Sequence, residues 1–209
     1  MTADKERPCT SFAVTSAKPS EGKSLTAANI AISYAMLGKK VLLIDADMRK
    51  PTQRRLWRVE KPTGLCDFLA KISKLELDKV KDLPLWIVCT GTIPPNPSEL
   101  LSSERMKHFV EESAKVYDYI IIDTPPINTV ADAQIVSTYV DGVVLVVKSG
   151  DTTEDELNEA IDAVRRAGGN LCGTVLNDLN MKSVKYAYKY KYGGKYGYKY
   201  SYSESYEAR

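Results

Sequence analysis

An α/β fold, with a mainly parallel sheet flanked by helices, is predicted for this chain by three observations. Short, almost wholly aliphatic runs recur along it and alternate with longer helical patterns. Polar chemistry collects where those runs stop, as aspartates and as a Gly-Lys-Ser turn. The length, 209 residues of which 44% are hydrophobic, suffices for one domain with a real core.

Residues 1–10 are polar and carry no pattern. Ser11–Ser16 (SFAVTS) reads as a strand, and Ser24–Leu37 as a helix ended by Gly38. Val41–Asp45 (VLLID) is nearly continuous aliphatic, as a strand buried on both faces should be. A less regular stretch follows, and then a strand at Leu85–Cys89. Pro94–Pro97 reads as a loop, after which Ser98 caps a long helix reaching Val116. Tyr119–Asp123 (YIIID) and Gly142–Lys148 (GVVLVVK) are two more buried strands, with a helix over Val130–Thr138 between them. Thr153 and Glu156 form a capping box for a helix that runs to Ala167 and stops at Gly168-Gly169. Gly173–Asn177 is the last strand. Right-handed βαβ units follow from this alternation, and ligands of such sheets bind at the carboxyl ends of the strands.

From Lys182 onward the composition changes. Nine of the thirteen tyrosines lie here, among Lys, Gly, Ser and Glu, with no leucine, isoleucine or phenylalanine to build a core. A domain over 1–181 and a disordered tyrosine-rich extension over 182–209 are expected. The formal charge of +2 conceals a division, +5 on the extension and −3 on the rest.

Cys9, Cys66, Cys89 and Cys172 form no CxxC pair, and His108 is the only histidine. That excludes a disulfide framework and a zinc site, and four reduced thiols are expected. No signal peptide opens the sequence, and no apolar run approaches the roughly 18 residues of a membrane span. The expectation is a cytoplasmic protein that reaches the inner face of the membrane only through a partner.

Ala17-Lys18-Pro19-Ser20-Glu21-Gly22-Lys23-Ser24 follows a strand and opens a helix, and its end fits the second half of GxxxxGK[ST]. Backbone N–H groups of such a turn cradle phosphates, and Gly22 lets the backbone come close. Lys23 then supplies a cation to the β- and γ-phosphates, while the Ser24 hydroxyl ligates Mg²⁺. The ATP contacts predicted here are Lys18, Pro19, Ser20, Glu21, Gly22, Lys23, Ser24 and Leu25. Asp45, Asp47 and Asp123 follow aliphatic strands, at the sheet edge where a carboxylate reaches Mg²⁺ directly or through water. One of the Asp45/Asp47 pair can act as base while the other serves the metal. Individually each is also a common helix cap; beside a Gly-Lys-Ser turn, three together point to phosphate chemistry.

These residues carry a resemblance. Asp45-Ala46-Asp47-Met48-Arg49-Lys50-Pro51 resembles the Walker A′ motif of the deviant P-loop ATPases, and Ile120–Pro126 (IIIDTPP) resembles their Walker B strand. Gly91–Leu101 (GTIPPNPSELL) resembles a segment typical of bacterial tyrosine kinases, and the terminal tyrosine cluster is the other half of that likeness. Nearly the whole chain, about 11–206, is covered. The resemblance implies a P-loop NTPase fold and a tyrosine kinase of the separate-chain type found with capsule or exopolysaccharide synthesis. It implies that Lys23 and Ser24 hold phosphates and Mg²⁺, that Asp45 is the base on the tyrosine hydroxyl, and that Asp47 and Asp123 organise the metal. Asn177 is implied as an adenine contact. Lys18 stands where the deviant ATPases carry a lysine that crosses a dimer interface. Implied partners are the cytosolic segment of a transmembrane activator and a cognate tyrosine phosphatase. Self-association is also implied, but the upstream E-x-x-R-x-x-R helix used for ring assembly has no counterpart before Ser11, so no ring is assigned.

Tyr186, Tyr188, Tyr190, Tyr192, Tyr196, Tyr198, Tyr200, Tyr202 and Tyr206 are the expected phosphoacceptors. About three phosphates, each adding −1.5 to −2, would cancel the charge of this extension. Lysine interleaved with aromatics could instead bind single-stranded nucleic acid, or the extension could be merely solubilising or a sticky strand. Beside this P-loop the phosphoacceptor role is favoured, and no nucleic-acid partner is expected. The rival activity is a switch ATPase of the partitioning or positioning type. Trp57 and Trp86 are expected as packing residues and His108 as a surface residue. Arg54, Arg55 and Arg58 read as a solvated basic face, able to meet a partner or an anionic tail.

Overall fold

The computed structural model describes residues 11–179. Seven strands form one sheet: β1 (Ser11–Ser16), β2 (Val41–Asp45), β3 (Asp78–Lys79), β4 (Leu85–Val88), β5 (Tyr119–Asp123), β6 (Gly142–Lys148) and β7 (Leu171–Asn177). Their order is β3-β4-β2-β5-β1-β6-β7, parallel throughout except for the two-residue β3. Helices α1 (Lys23–Met36), α2 (Gln53–Trp57), α3 (Leu65–Leu69), α4 (Pro97–Ser102), α5 (Glu104–Ala114), α6 (Asp132–Ser137) and α7 (Glu154–Arg166) connect them.

The aliphatic strands divide their side chains between two cores, with a period of two. Leu42, Ile44, Ile120 and Ile122 pack into one, whereas Val41, Leu43 and Ile121 pack into the other. Burial on both faces is why these strands lack polar alternation. Helix α1 lies on the second core through a stripe of small residues, Ala27, Ala28, Ala31 and Ala35, so its backbone sits close to the sheet. Chain order sends β1 to β2 past β5, and β6 to the opposite side of β1. That reversal of direction beside β1 is where α/β sheets leave a crevice for a ligand.

The helix expected over 98–116 is in fact two. Ser103 adopts an extended conformation (φ −66°, ψ 145°) that interrupts it. Its side chain then caps α5, with Oγ accepting from the Met106 N–H at 3.3 Å. Pro97 occupies the first turn of α4, and Ser98 does not cap it; the Ser98 hydroxyl donates to Asp132 instead. The final strand begins at Leu171, two residues before the expected start. Helices α2 and α3, each five residues long, were not separable from the irregular stretch in which they lie. Among the described residues no helix is long and apolar enough to cross a membrane.

Replacing Ser103 by Ala should cost about 1 kcal/mol through the lost cap. In a domain of this size that lowers the melting temperature by roughly 2–4 °C. An unchanged melting temperature would show that α4 and α5 do not depend on this cap.

Candidate active site

The turn after β1 sets the geometry. Gly22 takes φ +90°, and a Cβ there would collide with the side-chain amide of Asn177, so two constraints select glycine. That amide donates to the Glu21 carbonyl at 2.9 Å, fastening the end of β7 to the turn. Glu21 is buried, accepts from the Lys18 N–H at 2.9 Å and meets the Thr152 hydroxyl, so the turn is also tied to the segment before α7.

Register does the rest. On β2 and β5, Asp45 stands directly opposite Asp123 in the parallel ladder. Both are fully buried, as is Asp47 two residues on. The Lys23 ammonium enters this acidic group, 2.7 Å from Asp47 Oδ2, 3.4 Å from Asp123 Oδ1 and 3.2 Å from Ser24 Oγ. Burial works against the charged lysine, but Asp123 and Asp47 outweigh it and hold its pKa above the ordinary value. Burial likewise raises Asp123. Asp45 is pushed up to about 7, by burial first and by the neighbouring Asp123 charge second.

Asp45 is locked rather than open. Its Oδ2 accepts the N–H groups of Thr52 and Gln53 at 3.1 and 2.9 Å, and its Oδ1 accepts that of Asp47 at 3.3 Å. Gln53, the first residue of α2, has no counterpart in the sequence expectations. Its buried amide donates to Asp123 Oδ2 and to the Ser24 carbonyl, each at 2.9 Å, and its oxygen accepts the Trp57 indole N–H at 3.0 Å. Trp57 therefore orients a residue of the site as well as packing. A second unforeseen device is the buried Asp132, which binds Arg49 through Nε (2.8 Å) and an Nη (3.1 Å) and accepts from Ser98 at 2.5 Å. It joins the loop after β2 to α4 and α6. Apart from the local Gln53–Trp57 bond, both act across 29 to 83 positions of sequence, which no local pattern marks.

A cavity of about 470 Å³ opens above the cluster. Pro19, Ser20, Gly22, Lys23, Ser24 and Leu25 line it, together with Asp47. Arg49, Lys50 and Arg55 add positive charge; Leu56, Pro125, Pro126 and Val130 add apolar wall. Among the expected ATP contacts, Lys18, Glu21 and Asn177 are not in this lining. The Lys18 ammonium lies against Glu156 (3.1 Å) and the Asp151 carbonyl (2.9 Å), and Asn177 lines a separate groove beside α1 with Asn29 and Val175. The nine expected phosphoacceptor tyrosines lie outside the described residues. Cys66, Cys89 and Cys172 are free, and burial pushes the Cys66 and Cys89 thiols up to about 12, which leaves them inert.

Hard oxygen donors fit Mg²⁺. Ser24, Asp47 and Asp123 already converge on one positive charge, that of Lys23. Among the described residues no three His, Cys, Asp or Glu side chains form a metal site by themselves. In nucleotide sites Mg²⁺ is usually held by one or two carboxylates and by the phosphates that arrive with it.

A phosphate-cradling turn, an ammonium at its floor and carboxylates at the ends of the adjacent strands define a P-loop nucleotide-binding domain. Residues 10–170 match a family model described as an AAA domain. Tyrosine-protein kinase YwqD of Bacillus subtilis is 44% identical over 189 residues, 89% of this chain and 80% of that protein. Tyrosine-protein kinase CpsD of Streptococcus pneumoniae is 38% identical over 84% of this chain and 78% of its own length. The kinase domain of Escherichia coli tyrosine kinase ETK superposes with a TM-score of 0.82 at 33% identity, covering 88% of this chain and 74% of that one. The chain belongs to the AAA domain family and, within it, to the bacterial tyrosine-protein kinases.

The raised Asp45 carboxyl carries a sign. Between about pH 4 and pH 7 the folded domain holds a proton there that the unfolded chain has lost, so this group lowers stability as pH rises through that window. The slope is at most about 1.4 kcal/mol per pH unit and vanishes above it. Unfolding of the nucleotide-free protein from pH 5 to pH 8 should show this decline, and Asp45→Asn should flatten it. Parallel curves for the two proteins would refute the assignment.

Proposed function

We propose that this kinase transfers the γ-phosphoryl group of MgATP to the tyrosines of residues 186–206 on a neighbouring copy. The observation that supports this most is the union, in one cavity, of an ammonium at a phosphate-binding turn with an apolar outer wall. Lys23, Ser24 and the N–H groups of the turn would bind the β- and γ-phosphates; Asp47, Asp123 and Ser24 would hold Mg²⁺, which would supply positive charge against the phosphoryl group in transfer. Gln53 and Asp45 keep the carboxylates in place. The adenine contact expected of Asn177 would use the groove beside α1.

The acceptor phenol oxygen bonds to the γ-phosphorus as the bond to the β–γ bridging oxygen breaks, and ADP leaves with that electron pair. The phenolic proton passes to the Asp45–Asp47 pair. Asp47 is the member that reaches the cavity, so the pair, rather than Asp45 alone, is assigned this role. Positioning and electrostatics supply most of such catalysis.

Acceptance from a neighbour requires self-association. The names of the relatives place them with tyrosine kinases, one of them in a cps region, and we extend to this chain a role in regulating capsular or exopolysaccharide synthesis. Its activator would be the cytosolic segment of a transmembrane partner, drawing it to the inner face of the membrane, and a tyrosine phosphatase would reverse the modification.

Intact mass after incubation with MgATP, with and without that activator segment, tests the proposal. Serial additions of about 80 Da, each a phosphoryl group carrying −1.5 to −2 charges, are expected. Lys23→Met and a truncation ending at Asn180 should each abolish them. ATP hydrolysis with no mass gain, activator included, would transfer the protein to the switch-ATPase class.

A further inference from the structure

The cavity mouth carries more positive charge than the phosphate floor uses. Of the cations lining it, Lys23 is paired with Asp47 and Asp123, and Arg49 with Asp132. Arg54, next in sequence to the lining, turns away to the carbonyls of Val59 and Glu60. Lys50 and Arg55 remain, both exposed and both without an ion pair or side-chain hydrogen bond among the described residues. Beside them stand Leu25 and Leu56, 54% and 40% exposed, although large apolar side chains at a cavity rim are costly in water. Two free cations next to an apolar grip suit an aromatic ring with a negative charge near it in sequence.

The acceptor segment is not uniform in that respect. Tyr186, Tyr188, Tyr190 and Tyr192 lie among Lys185, Lys189 and Lys191, with Ala187 between the first two. Only the last two tyrosines have acidic neighbours: Glu204 lies between Tyr202 and Tyr206, and Glu207 follows directly. Residues 201–208 carry a formal charge of −2, whereas residues 185–192 carry +3.

Resting on the proposed tail phosphorylation, we infer that Lys50 and Arg55 select the acceptor by charge, so that Tyr202 and Tyr206 are modified first and phosphorylation then spreads toward Tyr186. Spacing provides the spread. Glu204 is two residues after Tyr202, and most of the other tyrosines are also two apart. A phosphate on Tyr202 therefore gives Tyr200 the acidic neighbour that Glu204 gives Tyr202, and Tyr200 does the same for Tyr198. Each addition converts a lysine-flanked, repelled tyrosine into a favoured one, with a charge larger than that of glutamate. The result is a directional wave rather than random modification.

Full-length protein quenched at no more than one phosphate per chain, with the site mapped by fragment mass spectrometry, reads the order directly. The first phosphate should fall on Tyr202 or Tyr206 about tenfold more often than on Tyr186–Tyr192, as two exposed ion pairs allow. End-blocked peptides of residues 201–208 and 185–192 should differ likewise in kcat/KM, and the difference should shrink at high salt. Lys50→Glu with Arg55→Glu should raise KM for the acidic peptide by about that factor without a matching rise in KM for ATP. In that double variant the preference should invert, with the first phosphate falling among Tyr186–Tyr192, whose flanking lysines carry +3.

In the unsubstituted chain an even distribution or a first phosphate among Tyr186–Tyr192, or in the double variant an equal rise in KM for ATP, would overturn the inference. The last result would assign both cations to the nucleotide. No phosphate on the tail at all would sink the underlying proposal as well, a distinct outcome from phosphate in the wrong order.

Discussion

One buried ammonium holds this site together. Parallel register sets Asp45 against Asp123, and the chain turning out of β2 brings Asp47 alongside, so three buried carboxyl groups share one small volume. Left alone they would repel and, deprived of water, would take up protons. Lys23 answers two of them directly, at 2.7 and 3.4 Å. It can do so only because the turn delivers it, and the turn depends on Gly22 at φ +90° and on the Asn177 amide at its carbonyl. The P-loop and the edge strand β7 are thus parts of one electrostatic arrangement. The imbalance that remains falls on Asp45, whose carboxyl lies near 7 and whose oxygens are surrounded by backbone N–H groups. An arrangement short of positive charge is prepared for a divalent cation, whereas one already balanced would resist it.

Much of this was legible in the sequence, for identifiable reasons. The core strands were readable because burial on both faces leaves no choice but aliphatic residues, and Val41–Asp45 and Tyr119–Asp123 match to the residue. The phosphate turn was readable because its chemistry dictates residue types at fixed spacing, and the structure brings Lys23, Ser24, Asp47 and Asp123 together. What escaped was set by contacts distant in sequence. Serine favours a cap but also occurs inside helices, and only the contacts around it show that Ser103 divides α4 from α5. Gln53 and Asp132 look like ordinary surface residues until β5 and α4 arrive beside them. Gly22 was expected to make room for phosphate; it also makes room for a side chain 155 positions later in the chain.

The loop 45–53 shows how such distant contacts serve the site. Asp45 fixes its far end through Thr52 and Gln53, Asp47 accepts the Lys50 N–H at 3.0 Å, and Asp132 holds Arg49. A loop tied at each of these points has few alternative conformations, and that is the preorganisation on which phosphoryl transfer depends. Lys50 and Arg55 project from this stiff frame with nothing else to bind among the described residues. Their charges are therefore available to a ligand at little entropic cost from the backbone beneath them.

The same frame bears on why a phenol, rather than water, would take the phosphoryl group. A P-loop floor is indifferent to the nucleophile, since it grips the nucleotide alone. Discrimination has to come from the outer wall, where Leu25, Leu56, Pro125, Pro126 and Val130 offer a surface that water does not prefer and an aromatic ring does. A ring seated there displaces poorly bound water from the line of attack, so acceptor binding and exclusion of hydrolysis become one event. Under the inferred charge selection, positive charge at the rim would act in the same direction, favouring chains whose tyrosines carry acidic company over the neutral solvent. On the proposed mechanism the floor would set the reaction and the wall would set the acceptor. The two are not independent, because Leu25 follows Ser24 directly and Pro125 and Pro126 lie two and three residues after Asp123, so a change in one loop reaches both.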